Sequence, residues 1–248
     1  MIMPDKIISQ NDPVGASTLM VIASAKKFNR WMYAVIKPYI TGRVLEIGSG
    51  IGNISSYLLT DNQQVTLSDL NSDYCSHLKT RFADNPSLED VLSLDLVAPD
   101  FATSNAHLLE KFNTIVLLNV IEHIEDHERA IRNAGSLLVA NGRLILLAPA
   151  YPFLFTAIDA GLGHFRRYTK STMRSLLREN GFNIKHWLFF NFTGIAGWFV
   201  FGKILSRKAL ESGEMTIYEA LVPLNKAIDR VTHKIAGLSI IFIGEKKG

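Results

Sequence analysis

Val44-Leu45-Glu46-Ile47-Gly48-Ser49-Gly50-Ile51-Gly52-Asn53 decides how the rest of the chain is read. An apolar run carries one acid, breaks into a glycine cluster and gives way to a helical pattern: strand, tight turn, helix. Glycines at 48, 50 and 52 permit positive φ and let a ligand lie directly on the backbone. The helix that follows starts with unpaired N–H groups. The spacing is G-x-G-x-G. The dinucleotide fingerprint is G-x-G-x-x-G, and Asn53 stands where its third glycine belongs. A glycine turn is a weak signal by itself, so the remaining strands have to support it.

The chain of 248 residues is long enough for one sizeable domain, with an apolar fraction of 48% that excludes a disordered chain. A formal charge of +3, with no dense basic stretch, argues against a nucleic-acid groove. The lone Cys75 excludes an intrachain disulfide and a cysteine-clustered zinc site. It suits a reducing cytoplasm, and Met1 to Gln10 lacks a long apolar core, so a cytoplasmic protein without a signal peptide is expected. No metal is expected.

Met1 to Gly15 is polar and predicts a mobile start. Ser17 to Ile40 has helical periodicity, limited by Pro38, and is either a lid over a ligand or a helix packed on the sheet edge. After the first strand and the helix from Asn53 to Leu59, Gln64 to Asp69 reads as a second strand ending in an acid. Asp69 lies 21 positions after Gly48. In nucleotide-binding α/β folds such an acid accepts hydrogen bonds from ribose hydroxyls; the alternative is a cap for the helix from Asn71 to Phe82. Val91 to Leu94 is a third strand, followed by Asp95. Phe112 to Leu118 is a continuous apolar fourth strand, as in a sheet buried on both faces. Asp126 suits the cap of a helix from His127 to Leu138. Asn141-Gly142 marks a turn, and Arg143 to Leu147 a fifth strand ending at Pro149. Five strands alternating with helices predict a doubly wound, mostly parallel sheet. Ligands bind such sheets at the carboxyl ends of the strands.

Beyond Pro149, Ala150 to Thr169 reads as an irregular aromatic loop. A helix from Ser171 to Asn180 with Thr169 or Ser171 as cap and Gly181 as stop comes next, then a sixth strand from Phe182 to Phe190. Trp187 to Gly202 holds seven aromatics and no charge. It is shorter than a membrane span, and is either core or a lipid-facing surface. Lys203, Arg207 and Lys208 suit either anionic headgroups or a helix C-terminus. A helical segment from Met215 to Lys234 and a last strand from Gly237 to Gly244 complete the pattern.

E-x-G-x-G-x-G at Glu46 to Gly52, Asn119-Val120-Ile121-Glu122-His123-Ile124 after strand four, and D-x-x-x-x-H-x-R-R-Y-T from Asp159 to Thr169 together resemble the class I S-adenosylmethionine-dependent methyltransferases, in the branch that acts on small molecules. The resemblance covers nearly the whole chain and is strongest from Val44 to Pro149. It implies a seven-stranded Rossmann-like sheet forming a single domain, with the last strand antiparallel between strands five and six. Residues 1–41 would be an N-terminal helical cap, 42–149 the cofactor-binding core and 150–248 the acceptor side. It implies S-adenosyl-L-methionine as cofactor. Glu46, Gly48, Ser49, Gly50 and Asn53 would meet it at the turn, and Asp69 and Leu70 at the ribose. Asp95 and Leu96 would meet the adenine, unless Asp95 is only a turn residue. Asn119 would lie beside the methionine part, with Glu122 and His123 at the rim.

The sulfonium methyl is already electrophilic, so an enzyme of this kind must place a nucleophile in line with it, and needs a base only for a protonated nucleophile. His123, His164 and Tyr168 are the candidate catalytic residues. Trp31, Tyr151, Phe155, Arg166 and Arg167 are the candidate acceptor residues. The competing reading of His164 and the arginines is a network that pins the loop. The expected acceptor is a small, largely apolar or aromatic, even lipid-like molecule and not nucleic acid; peripheral membrane contact stays open and oligomeric state is unread. The rival classes are a non-catalytic binder of the same cofactor and an NAD-dependent oxidoreductase.

Overall fold

The computed structural model describes residues 13–62, 64–204 and 212–248. The elements begin with helices α1 (Pro13–Ser24) and α2 (Lys26–Ile36), strand β1 (Val44–Ile47), α3 (Ser55–Asp61), β2 (Val65–Asp69), α4 (Ser72–Arg81) and β3 (Leu88–Ser93). Then come α5 (Phe101–Ser104), β4 (Phe112–Leu118), α6 (His127–Leu137), β5 (Leu138–Pro149), α7 (Ala157–Gly161) and α8 (Lys170–Glu179). The chain continues with β6 (Phe182–Phe190), α9 (Gly194–Trp198), a π-helical turn over Phe199–Ile204, α10 (Ser212–Thr232) and β7 (Ser239–Lys246). Most of the stretch expected to be mobile, Met1 to Gly15, and both Arg207 and Lys208 lie outside the described residues.

Seven strands form one sheet in the order β3-β2-β1-β4-β5-β7-β6. β1 to β5 run parallel, and β7 pairs antiparallel with both β5 and β6. That is the expected architecture, including the inserted last strand. Successive side chains alternate between two apolar layers, as the two-residue period of a strand requires. Leu45, Ile115, Leu117 and Phe242 face α6 and α8. Val44, Val116, Ile241 and Ile243 face α2, α3 and α4. Burial on both faces explains why β4 reads as an unbroken apolar run.

Three elements differ from the sequence reading. The N-terminal helical stretch is two helices, broken at Ala25. The N–H groups of Lys27 and Phe28 donate to the Glu219 carboxylate of α10 at 3.0 and 2.7 Å, so the start of α2 is capped by a residue far along the chain. The Asn29 side chain donates to the Ile22 carbonyl at 2.8 Å across the same break. Second, Asn141-Gly142 is a bulge inside a longer β5 and not the turn before it: pairing with β4 jumps from Phe112–Leu138 to Thr114–Arg143. Third, the loop after β5 is partly ordered into a short 3-10 turn over Pro152–Leu154 and α7. No described helix is long and apolar enough to cross a membrane.

The hairpin between α10 and β7 passes Phe190 at close range. A Cβ on Gly237 would lie 2.5 Å from the Phe190 carbonyl oxygen and 2.6 Å from its nitrogen, both backbone atoms that cannot swing aside. Gly237→Ala is expected to lower stability by roughly 1–3 kcal/mol, as overpacking does, read as a shift in the urea midpoint.

Candidate functional site

A cavity of about 1050 Å³ lies over the carboxyl ends of β1, β2, β4 and β5, where a doubly wound sheet binds its ligands. The glycine turn forms its floor. Gly48, Gly50 and Gly52 have φ of +74°, +54° and +86°. A Cβ on Gly48 would meet Val120 at 2.3 Å and one on Gly52 would meet Phe82 at 2.8 Å. The turn hangs from β2: Gly48 and Ser49 both donate to the Ser68 carbonyl at 2.9 Å. The Asp69 carboxylate lines the cavity and accepts the N–H groups of Gly50 at 2.8 Å and Asn71 at 2.9 Å. One acid at the end of β2 thus fixes the turn after β1 while facing the ligand space. Leu70, Asp95, Leu96 and Asn119 also line the cavity. Asp95 closes an Asx turn onto the Val97 N–H at 2.8 Å. Asn119 has φ +55°, a left-handed conformation that asparagine tolerates better than most residues.

Three expected cofactor contacts do not line the cavity. Glu46 is buried beneath the turn, where its carboxylate accepts the Ser55 hydroxyl. Asn53 donates to the Leu19 carbonyl of α1 at 3.1 Å. Ser49 is buried with its hydroxyl directed at the Glu46 carbonyl, 3.4 Å away. These residues shape and brace the turn.

The far end of the cavity is walled by the loop after β5 and by α9. Ile158, Leu162, Phe165, Trp198 and Phe201 supply its apolar lining; Glu122, His123, His164 and Arg167 supply its polar groups. Thr18, Leu19 and Ile22 of α1 and Met215 and Tyr218 of α10 complete the wall, so α1 does border the ligand space.

Asp159 organises this end. Its side chain is fully buried and accepts Arg167 through two nitrogens, at 2.8 and 3.1 Å, the Thr156 N–H at 2.8 Å and His164 Nδ1 at 2.9 Å. Burial pushes the carboxyl upward, but the bonds from His164 and Arg167 outweigh it and hold the acid below its ordinary range. Arg167 also donates to the Ala150 carbonyl at 3.1 Å and lies 4.7 Å from the centre of the Trp198 ring. Arg166 donates to the carbonyls of Ile124 and Glu125 at 2.6 and 2.9 Å and does not line the cavity. The two arginines therefore hold the loop, as the competing reading had it.

Tyr168 does not reach the cavity either. It is buried, its hydroxyl donating to the Ile121 carbonyl at 3.3 Å and lying 2.8 Å from His127 Nδ1, and burial pushes its pKa up. Trp31 is a core residue, its ring centre 4.4 Å from that of Phe190. Tyr151 stacks on Phe189 at 5.6 Å, and neither it nor Phe155 lines the cavity. The reason is local: Tyr151 has φ +63°, which turns the chain away as it leaves β5.

Glu122 was expected at the rim and is instead fully buried in the cavity wall, with no well-formed hydrogen bond on either carboxylate oxygen. Burial raises its pKa to about 8, against the pull of its own backbone N–H and of Arg167. An acid embedded in the apolar run Val120-Ile121-Glu122 is the signal that marks it in sequence.

A family profile described as "Methyltransferase domain" matches residues 23–186. This chain belongs to that methyltransferase family. Its cofactor is S-adenosylmethionine, so the NAD-dependent oxidoreductase falls away. Among curated proteins the methyltransferase is similar to "Probable polyketide synthase 40" of Dictyostelium discoideum, 24% identical over 132 residues, 47% of this chain and 5% of that one. It is also similar to "Probable ribosomal RNA small subunit methyltransferase A" of Methanococcoides burtonii, 38% identical over 84 residues, 32% of this chain and 30% of that one. The matches thus span under a third of each relative's length. Among solved structures, the CurJ carbon methyltransferase superposes with a TM-score of 0.59 at 13% identity, covering 100% of this chain and 62% of that one. A SAM-dependent methyltransferase from Archaeoglobus fulgidus gives 0.57 at 14% identity, covering 88% and 94%. At such identities the structures establish the shared fold.

Glu46 gives the methyltransferase a measurable pH signature. Burial raises its carboxyl pKa to about 7, against about 4.5 for an unburied one, with the Ser55 and Ser49 hydroxyls opposing. The folded state therefore holds a proton that the unfolded state releases. The added stability is complete below about pH 4.5 and is lost as pH rises through about 7, by roughly 3 kcal/mol in all. Glu46→Gln is expected to remove this component, seen as a flatter difference curve in urea midpoints measured from pH 4 to pH 8.

Proposed function

We propose that the enzyme methylates a small, largely apolar or aromatic molecule, with cofactor and acceptor lying end to end in the one cavity. The observation that carries this reading is that a single cavity is lined both by the glycine turn with the acids after β2 and β3 and by an apolar set with a few polar groups from the loop after β5 and α9. Small-molecule sites have this make-up.

At the cofactor end, the backbone of Gly48 and Gly50 lies against S-adenosylmethionine because no Cβ intervenes. Asp69 accepts the ribose hydroxyls, Asp95 and Leu96 border the adenine, and Asn119 borders the methionine part. At the acceptor end, Ile158, Leu162, Phe165, Trp198 and Phe201 exclude water around the methyl in flight. His123 and His164 are the groups placed to take a proton from the acceptor. When bound, S-adenosylmethionine would supply an electrophilic methyl group, whose transfer to the acceptor's lone pair would leave the carbon–sulfur electron pair on sulfur. The polyketide synthase relative is in keeping with an acceptor of this class. A charge of only +3 weighs against an acceptor as anionic as RNA.

Two measurements test the reading. S-adenosylmethionine is expected to bind in the low-micromolar range, about −8 kcal/mol, by calorimetry. Asp69→Ala should cost about 2 kcal/mol through lost charge-assisted bonds; unchanged binding in that variant would remove Asp69 from the site. Incubating the enzyme with cell extract and cofactor labelled on the methyl should place label in the organic-soluble fraction. Label found only in protein or nucleic acid overturns the acceptor class.

A further inference from the structure

We propose that Glu122, His123 and His164 form a binding site for a divalent transition-metal ion, typified by Zn²⁺, at the acceptor end of the cavity. One ligand atom from each of the three residues falls in a set whose members all lie within 4.8 Å of one another. All three residues line the cavity, and the two imidazoles meet edge to face with ring centres 4.6 Å apart. Two histidines and one carboxylate, with a fourth position open to a cavity, is a donor set used by catalytic zinc.

Two independent features point to a cation. The first is the state of Glu122. Asp159 and Arg167 neutralise each other at 2.8 Å, so the Glu122 carboxyl is the acid of this buried cluster left without an ion-pair partner. Both its oxygens are buried without a hydrogen-bond partner. A buried polar group in that state is costly unless something satisfies it, and a dication on the cavity side would do so.

The second feature is the orientation of His164. Its Nδ1–H donates to Asp159 at 2.9 Å, which leaves Nε2 as the ligating nitrogen. Asp159 is itself fixed by Arg167 and Thr156. Metal-binding histidines are commonly oriented by such a carboxylate on the opposite nitrogen. A purely loop-pinning network would not require a carboxyl without an ion-pair partner beside it. A tetrahedral ion with bonds of about 2.1 Å needs ligand atoms about 3.4 Å apart, so the three must close by about an ångström. Of the three, His123 is the one at the exposed edge of the cavity.

The place of the ion beside the acceptor rests on the function proposed above; the site itself rests on the three side chains. In that setting His123 and His164 would act as ligands in place of proton acceptors: an acceptor hydroxyl would occupy the fourth position, lose its proton to solvent more readily because the ion stabilises the oxyanion, and attack the methyl carbon as sulfur departs with the bonding pair.

The test uses the full chain, freed of any affinity tag and stripped with a chelator. Equilibrium dialysis against Zn²⁺ should give one tightly bound ion per chain, and Zn²⁺ should raise Tm. Glu122→Gln removes the ionisable ligand oxygen and keeps the shape of the neutral acid, so it should fold about as well as the parent. It should weaken Zn²⁺ binding at least tenfold and abolish the rise in Tm. His164→Ala should weaken binding similarly. Absence of stoichiometric Zn²⁺, or Zn²⁺ binding that both variants leave unchanged, overturns the site. Calorimetry with S-adenosylmethionine on the same stripped protein keeps the two proposals apart. Cofactor binding without zinc binding sinks the metal site alone; zinc binding sensitive to both variants, without cofactor binding, supports the metal site and counts against the methyl-transfer reading.

Discussion

Two carboxylates on α10 hold the upper part of the molecule together. Glu219 accepts the first free N–H groups of α2, and Asp229, buried near the other end of the same helix, accepts those of Asn191 and Phe192 at 2.6 and 2.7 Å. Each bond joins a charged acceptor to a backbone donor that would otherwise lack a helix or strand partner, and bonds of that type are worth about 1.5–3 kcal/mol each. Just before Glu219 on the same helix sit Met215 and Tyr218, which line the cavity. The chamber over the strand ends thus owes its shape to segments that are distant in sequence and tied to one helix.

The acceptor end shows two opposite treatments of buried charge. Asp159 is saturated: guanidinium, imidazole and backbone all donate to it. Such a group, once paired, resists change, because removing any one partner leaves the others uncompensated. Glu122, packed nearby in the same wall, has none of this. Saturation builds a rigid frame, and an unsatisfied acid within that frame is where chemistry has room to occur.

Much of the fold was legible because the strands obey simple periodicity. The apolar run of β4 gives its bounds directly, β6 has the same bounds in sequence and structure, and the glycine turn with Asp69 is readable from spacing. The cofactor end is formed by residues just past strand ends, so the sequence order of the strands also orders the site. The acceptor end was less legible. Tyr151 and Phe155 looked placed to line it, but the left-handed turn at Tyr151 removes them, and no residue type there announces that φ. Trp198 and Phe201 do line it, yet their aromatic run is indistinguishable from core without tertiary contacts. Tyr168 and Arg166 have the chemistry of active-site residues and spend it on backbone carbonyls. Glu219 could not have been read as a cap, since the groups it caps are nearly two hundred residues away.

The position of β7 has a consequence for how the chain is made. Among the described strands β6 is attached to the sheet only through β7, and β7 is the later of the two to be synthesised. Until it arrives, β6 has no strand to pair with, and the apolar faces of Leu188 and Phe190 have no sheet beneath them. The parallel half, β1 to β5, can assemble first; the antiparallel half must wait, as non-local pairing generally does. During that interval the open edges of β5 and β6 are both templates for a foreign strand. Protection of this protein during biosynthesis therefore matters most in the stretch between the emergence of β6 and the insertion of β7.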